Sequence, residues 1–206
     1  MAKLFDAIDD KLQAFIEAQP MFFVATAPSG DGGHVNLSPK GGRNLFRVTG
    51  PHGFAYVDLV GSGIETIAHL RENGRIAIMF CSFTGGPKIL RLHGVGRPVQ
   101  QGDDGFAEAL GRFDITDEQR RAVRSVIEVD VTRVADSCGF VVPRMDYVGE
   151  RDQLYRYAEN RIRKEGSDAV QAYVTANNAE SIDGLEGLDP LVDGASGSAV
   201  SAGRKL

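Results

Sequence analysis

The chain has 206 residues, 42% of them hydrophobic and 25% charged, with a net charge of −5. That is enough to bury a sizeable core in one domain with appendages. The acidic balance and scattered basic residues argue against nucleic acid as a partner, and no run reaches the roughly 20 apolar residues of a membrane span.

The N-terminus is acidic within six residues, unlike a signal peptide. Cys81 and Cys138 are the only cysteines, too few for a disulfide framework, so a reducing cytoplasm is the expected setting. Leu4, Phe5, Ile8, Leu12, Phe15 and Ile16 form one apolar stripe, which predicts an amphipathic helix ending before Pro20. Its polar face carries Asp6, Asp9 and Asp10, so it belongs on a core rather than on a membrane.

Met21–Ala27 reads as a central strand, residues 28–33 as a loop, and His34–Ser38 as the hairpin partner. The next residues, Pro39-Lys40-Gly41-Gly42-Arg43, follow the Ser38 hydroxyl with a lysine and flexible backbone. Asn44–Thr49 is a further strand, turned at Gly50-Pro51-His52-Gly53 into Phe54–Val60, which is rich in aromatic and β-branched residues. Gly61-Ser62-Gly63 breaks that strand. Ile64, Ile67, Ala68 and Leu70 then recur at helical spacing, Asn73-Gly74 supplies a left-handed cap, and Arg75–Phe80 returns as a buried strand. A helix N-terminus set on a glycine corner leaves backbone N–H groups unpaired and a positive dipole end free, which suits a phosphate.

Lys88–Val99 predicts a long strand, bulged at Gly94 or Gly96. Two short helices follow over Asp103–Arg112 and Thr116–Arg121, the second opened by a Thr116–Gln119 capping box. Ser125–Val134 alternates as a half-buried strand, and Cys138–Val142 is expected to continue the sheet. Glu150–Lys164, with Leu154, Tyr157, Ala158 and Ile162 inward, and Asp168–Ala176 read as helices. One domain therefore spans residues 1–190, and the Gly/Ser/Ala-rich segment 191–206 is expected to be disordered. Short strands with helices at the ends, and no βαβ alternation, indicate a mainly β (α+β) fold: a small antiparallel barrel with flanking helices.

Read together, Val35-Asn36-Leu37-Ser38-Pro39-Lys40-Gly41, Tyr56-Val57-Asp58, Gly61-Ser62-Gly63-Ile64-Glu65-Thr66-Ile67-Ala68-His69-Leu70 and Leu90-Arg91-Leu92-His93-Gly94 resemble the pyridoxamine 5′-phosphate oxidase-like family of FMN-binding split β-barrels. Ser137-Cys138-Gly139-Phe140, Val142-Pro143 and Asn178–Leu185 are similar to an uncharacterised subfamily of it. The resemblance implies a Greek-key split barrel, a homodimer with FMN at the subunit interface, and an FMN-dependent oxidoreductase acting on a small molecule. A deazaflavin F420-dependent reductase and a non-catalytic flavin or haem carrier or sensor remain alternatives. By position it implies that Asn36, Leu37, Ser38 and Lys40 lie along the flavin, and that Val60, Gly61, Ser62, Gly63 and Thr66 hold the phosphate. Glu65 and Thr66 stand where true pyridoxamine phosphate oxidases carry Arg-Lys, and their characteristic C-terminal segment is absent, which argues against vitamin B6 oxidation. The positive charge must then come from elsewhere, with Lys40, Arg43, Lys88 and Arg91 as candidates. His34, His52, His69 and His93 lack metal-ligand spacing, so no metal is expected.

Overall fold

The strands assemble, in a computed structural model describing residues 3–190, into one antiparallel sheet. Its strands are β1 (Lys3–Phe5), β2 (Met21–Thr26), β3 (Asn36–Gly41), β4 (Phe46–Gly50), β5 (Gly53–Leu59), β6 (Arg75–Cys81), β7 (Ile89–Gln100) and β8 (Val123–Ser137). They lie in the order β3-β2-β6-β7-β8-β5-β4, with β1 added to the far end of β8. The sheet curls into a half-barrel. The helices are α1 (Asp10–Glu17), α2 (Glu65–Asn73), α3 (Phe106–Gly111), α4 (Asp117–Arg121), α5 (Gln153–Glu165) and α6 (Ala169–Asn177). None is long and apolar enough to cross a membrane. The tail expected to be disordered, residues 191–206, lies outside the described residues.

The interior is aromatic. Phe22 of β2 stands 5.0 to 5.6 Å from the rings of Phe46, Phe54, Tyr56 and Phe80, three of the four pairs being edge-to-face, the arrangement that ring quadrupoles favour. β5 is buried on both faces: Phe54 and Tyr56 meet this cluster, while Ala55 and Val57 pack with Leu45, Leu110, Phe113 and Val126. That is why its sequence does not alternate.

Several expectations hold in detail. Gly74 caps α2 at φ +71°, its N–H bonded to the Leu70 carbonyl at 3.0 Å. The register of β7 against β8 does shift between His93 and Gly94, but the extra residue is Thr132 on β8 and not one of β7's own; a Cβ on Gly94 would fall 2.1 Å from the Asp130 carbonyl oxygen. The Thr116–Gln119 capping box forms as expected.

Others differ. The first turn of the expected N-terminal helix is instead β1: the pairing of β5 along β8 stops at Asp130, and the free length beyond accepts Leu4 opposite Ala135. The helix starts at Asp10 because Asp9 is the effective cap, accepting the Leu12 N–H at 2.8 Å. Cys138–Val142 leaves the sheet. Gly139 presses against the Lys88 backbone and a turn closes from the Val142 N–H to its carbonyl, exposing Phe140 and Val141. β3 begins only at Asn36 and runs on to Gly41, since His34 is held away by Asp183 at 2.6 Å. Tyr157, expected inward, is exposed and sets its ring edge-on to Tyr173.

Candidate functional site

β3 and the corner after β5 face each other across a cavity of about 420 Å³. β3 supplies Ser38 to Gly41, the corner supplies Val60 to Gly63, and Leu45, Val57, Leu59 and Leu154 form an apolar wall with Phe22. Arg124 closes it from β8.

Arg124 reaches the cavity because of a bulge. Asp58 pairs with Ser125 and Leu59 with Val123, so Arg124 is an extra residue with no opposite number on β5. Bulges re-aim side chains in this way. Its Nε donates to Asp58 Oδ2 at 2.6 Å, and Lys40 Nζ donates to Asp58 Oδ1 at 2.8 Å. Asp58 has no solvent exposure. Burial by itself would raise its carboxyl pKa; Arg124 and then Lys40 outweigh that and hold it at about 2, below the ordinary 3.8. Two cations on one carboxylate leave one net positive charge beside the corner. Arg124 Nη1 is spent on the Gly61 carbonyl at 3.2 Å and on Asn178 Oδ1 at 3.0 Å, whereas Nη2 makes no hydrogen bond among the described residues.

The corner is fixed from behind. Val60 N–H donates to the Ala122 carbonyl at 2.8 Å, and Asn178 Nδ2 donates to the carbonyls of Gly61 at 2.9 Å and Ser62 at 3.5 Å. A trans peptide points its N–H opposite its carbonyl. With those carbonyls turned toward Arg124 and Asn178, the N–H groups of Ser62 and Gly63 face the other way. A Cβ added to Gly61 would touch nothing within 4 Å, so the space beside that residue is open. Glu65, in the first turn of α2, bends back over Gly63: a Cβ there would lie 2.8 Å from Glu65 Oε2.

Below the cavity runs a chain of polar groups. Ser38 Oγ donates to Asn36 Oδ1 at 2.9 Å, and Asn36 Nδ2 donates to Thr26 Oγ1 at 3.1 Å and Thr66 Oγ1 at 2.9 Å. Thr26 Oγ1 meets the buried His69 at Nδ1, 3.0 Å away. Burial lowers the His69 pKa, so the ring is neutral near pH 7.

Of the residues singled out in the sequence, Ser38, Lys40, Val60, Gly61, Ser62 and Gly63 line one cavity. Asn36 and Thr66 are bonded to each other beneath it, so the Thr66 hydroxyl is engaged away from the corner. Leu37 is exposed on the opposite side of β3, the sheet's edge. Arg91 bonds Ser137 Oγ at 3.0 Å on β8 and is not part of the wall. Arg43 stacks on Tyr147, and Lys88 lies over Phe15. Sequence reasoning gives Arg124 no role and meets Asn178 only as the first residue of the Asn178–Leu185 resemblance. Asp58 was the available signal, since an acid inside so apolar a strand must have a cationic partner. A larger depression, about 570 Å³, has Arg97 and Arg112 paired with Glu108 and Glu128, and Asp103 and Asp104 leave its lining net acidic, which does not suit an anion. Among the described residues no cluster of His, Cys, Asp or Glu is placed to hold a metal.

The family model for pyridoxamine 5′-phosphate oxidase matches residues 8–138. The pyridoxamine 5′-phosphate oxidase family protein ustO of Aspergillus flavus is 37% identical over 201 residues, covering 91% of this chain and 78% of that protein. Among solved structures, HupZ from Group A Streptococcus overlaps at a TM-score of 0.45 and 22% identity, covering 62% of this chain and 91% of its own. The FAD binding protein from Mycobacterium smegmatis overlaps at 0.43 and 14%, covering 66% and 96%.

The buried carboxylate generates a prediction. Asp58→Asn leaves two cations without their anion and should cost about 3–5 kcal/mol at pH 7. In the parent protein the folded pKa lies below the unfolded one, so the Asp58 contribution is complete above pH 3.8 and is lost as pH falls toward about 2. Urea unfolding followed from pH 5 downward should show that loss in the parent and its absence in the variant. Equal stabilities at pH 7 would contradict the assignment.

Proposed function

The chain belongs to the pyridoxamine 5′-phosphate oxidase family, and from that premise we propose that it binds FMN in the Ser38–Gly63 cavity and acts as an FMN-dependent oxidoreductase on a small molecule. The observation that carries this reading is the corner itself: two backbone N–H groups facing away from the engaged carbonyls, a guanidinium behind them, and one positive charge more than Asp58 neutralises. Such a donor set suits a phosphate dianion, and the absence of a Cβ atom at Gly61, where nothing else lies within 4 Å, lets it approach the backbone. The cavity volume lies within the range of about 300–1,000 Å³ usual for small-ligand sites.

When bound, the flavin supplies the redox chemistry. The chain's own residues bind and orient. Ser62 and Gly63 N–H groups hold the phosphate, Arg124 adds positive charge from behind them, and Leu45, Val57, Leu59 and Leu154 exclude water from the apolar wall. Lys40 Nζ has three protons and gives one to Asp58, which leaves donors for the cofactor. Arg124 thus replaces the basic pair that Glu65 and Thr66 displace. Glu65 opposes an anion at the same corner, so the phosphate's hold rests on Arg124 and the peptides.

FMN added to the purified protein should lose its fluorescence at micromolar concentration, with riboflavin binding far more weakly. Arg124→Lys keeps a charge near Asp58 but loses the planar fork. It should weaken FMN about tenfold or more, because the Nη1 bond that fixes the Gly61 peptide is lost and each step of about 1.4 kcal/mol is a factor of ten, and leave riboflavin unaffected. Equal affinity for FMN and riboflavin in the parent protein would remove the phosphate site.

The same reading includes a cytoplasmic homodimer with the cofactor at the subunit interface. It is supported by the β3 edge, where Val35 and Leu37 are 75% and 64% exposed next to the cavity, and by two free cysteines, which suit a reducing compartment. Sedimentation should give about twice the 22.2 kDa chain mass. A monomer that retains FMN tightly would contradict the interface placement.

A further inference from the structure

The peptides of the corner owe their orientation to a residue 117 positions away. Asn178 follows the last turn of α6, has no solvent exposure, and spends its whole side chain on the site's scaffold. Its amide nitrogen donates to the Gly61 and Ser62 carbonyls, and its amide oxygen accepts Arg124 Nη1. We propose that Asn178, which lies beyond the stretch matched by the family model, is a positioning residue for anion recognition: it sets the corner N–H groups toward the cavity and holds Arg124 behind them.

The inference rests on the phosphate reading above and deepens it. Gly61-Ser62-Gly63 contains two glycines, which rotate freely unless tied, and a peptide that turned over would present a carbonyl to the cavity instead of an N–H. The tie must therefore donate to the two carbonyls and also accept from a guanidinium. An amide does both without charge, so the excess positive charge from Lys40 and Arg124 survives. An aspartate would accept from Arg124, but it would cancel that charge and repel the carbonyls.

The amide is itself held in place. The loop after Asn178 closes on it, with Leu188 N–H bonded to the Asn178 carbonyl and Gly187 N–H to the Ala179 carbonyl, both at 2.8 Å. A Cβ on Gly187 would fall 2.2 Å from the Asn178 carbonyl oxygen, so the closure tolerates only glycine. Arg71 on α2 pairs with Asp189 at 2.9 Å, and His34 pairs with Asp183 at the loop's outer end.

The experiment is a fluorescence titration of FMN and of riboflavin against the full chain and three variants, with a melting temperature for each. Asn178→Ala and the isosteric Asn178→Asp should lower FMN affinity about tenfold or more and leave riboflavin affinity unchanged. A residue that merely supported the fold would weaken both ligands together. Asp183→Asn, which loosens the same loop without touching the amide, should leave the FMN-to-riboflavin ratio intact. A parent-like ratio in Asn178→Asp overturns the inference while the phosphate reading stands. So does an Asp183→Asn ratio lowered as far as that of Asn178→Asp, because docking of the loop would then be the cause. A parent protein that does not distinguish FMN from riboflavin overturns both.

Discussion

Asp58 keeps a charge where water cannot reach it, and a buried carboxylate in that position must be answered by cations brought from elsewhere in the chain. Lys40 comes from the edge strand β3, and Arg124 comes from a bulge in β8, so the ion group fastens both walls of the cavity to β5. Two positive groups answer one negative group. The surplus sits behind the Gly61–Gly63 corner, and the electrostatic character of the site follows from that imbalance more than from any residue exposed in the cavity.

Polarity passes from the interior to the cavity through peptides. Arg124 and Asn178 engage the Gly61 and Ser62 carbonyls, and each engaged carbonyl commits the N–H of its own peptide to the opposite face. An anion would thus meet backbone donors backed by a charge at short range in a partly dry setting, where electrostatic interactions are stronger than in water. The arrangement explains how a site can favour an anion although Glu65 stands in the first helical turn and the Thr66 hydroxyl is turned toward Asn36.

Much of this fold is legible in the sequence because its signals are local. Strand 53–59, the glycine corner, α2 with its Gly74 cap and the returning β6 all follow from residue type and spacing, and so does the Thr116 capping box. What stays hidden depends on pairing. Leu4 and Phe5 fit a helical stripe, yet the open length of β8 gives them a better partner. Arg124 looks like an ordinary residue at a strand's start until register shows that it has no opposite number on β5. Asn178 is one polar residue in a helix cap, and nothing local marks it as a neighbour of Gly61. Lys40 reads from sequence as one of four cations available to a phosphate, but Asp58, two residues beyond Tyr56, takes its charge first.

The central claim is that the buried ion group and its peptides form an anion site at the corner. The crystal structure of the FMN complex tests it most directly. The phosphate is expected within hydrogen-bonding distance of the Ser62 and Gly63 N–H groups, with the Arg124 guanidinium behind those peptides. A phosphate seated on Arg43 or Arg91, with the corner N–H groups empty, would contradict it.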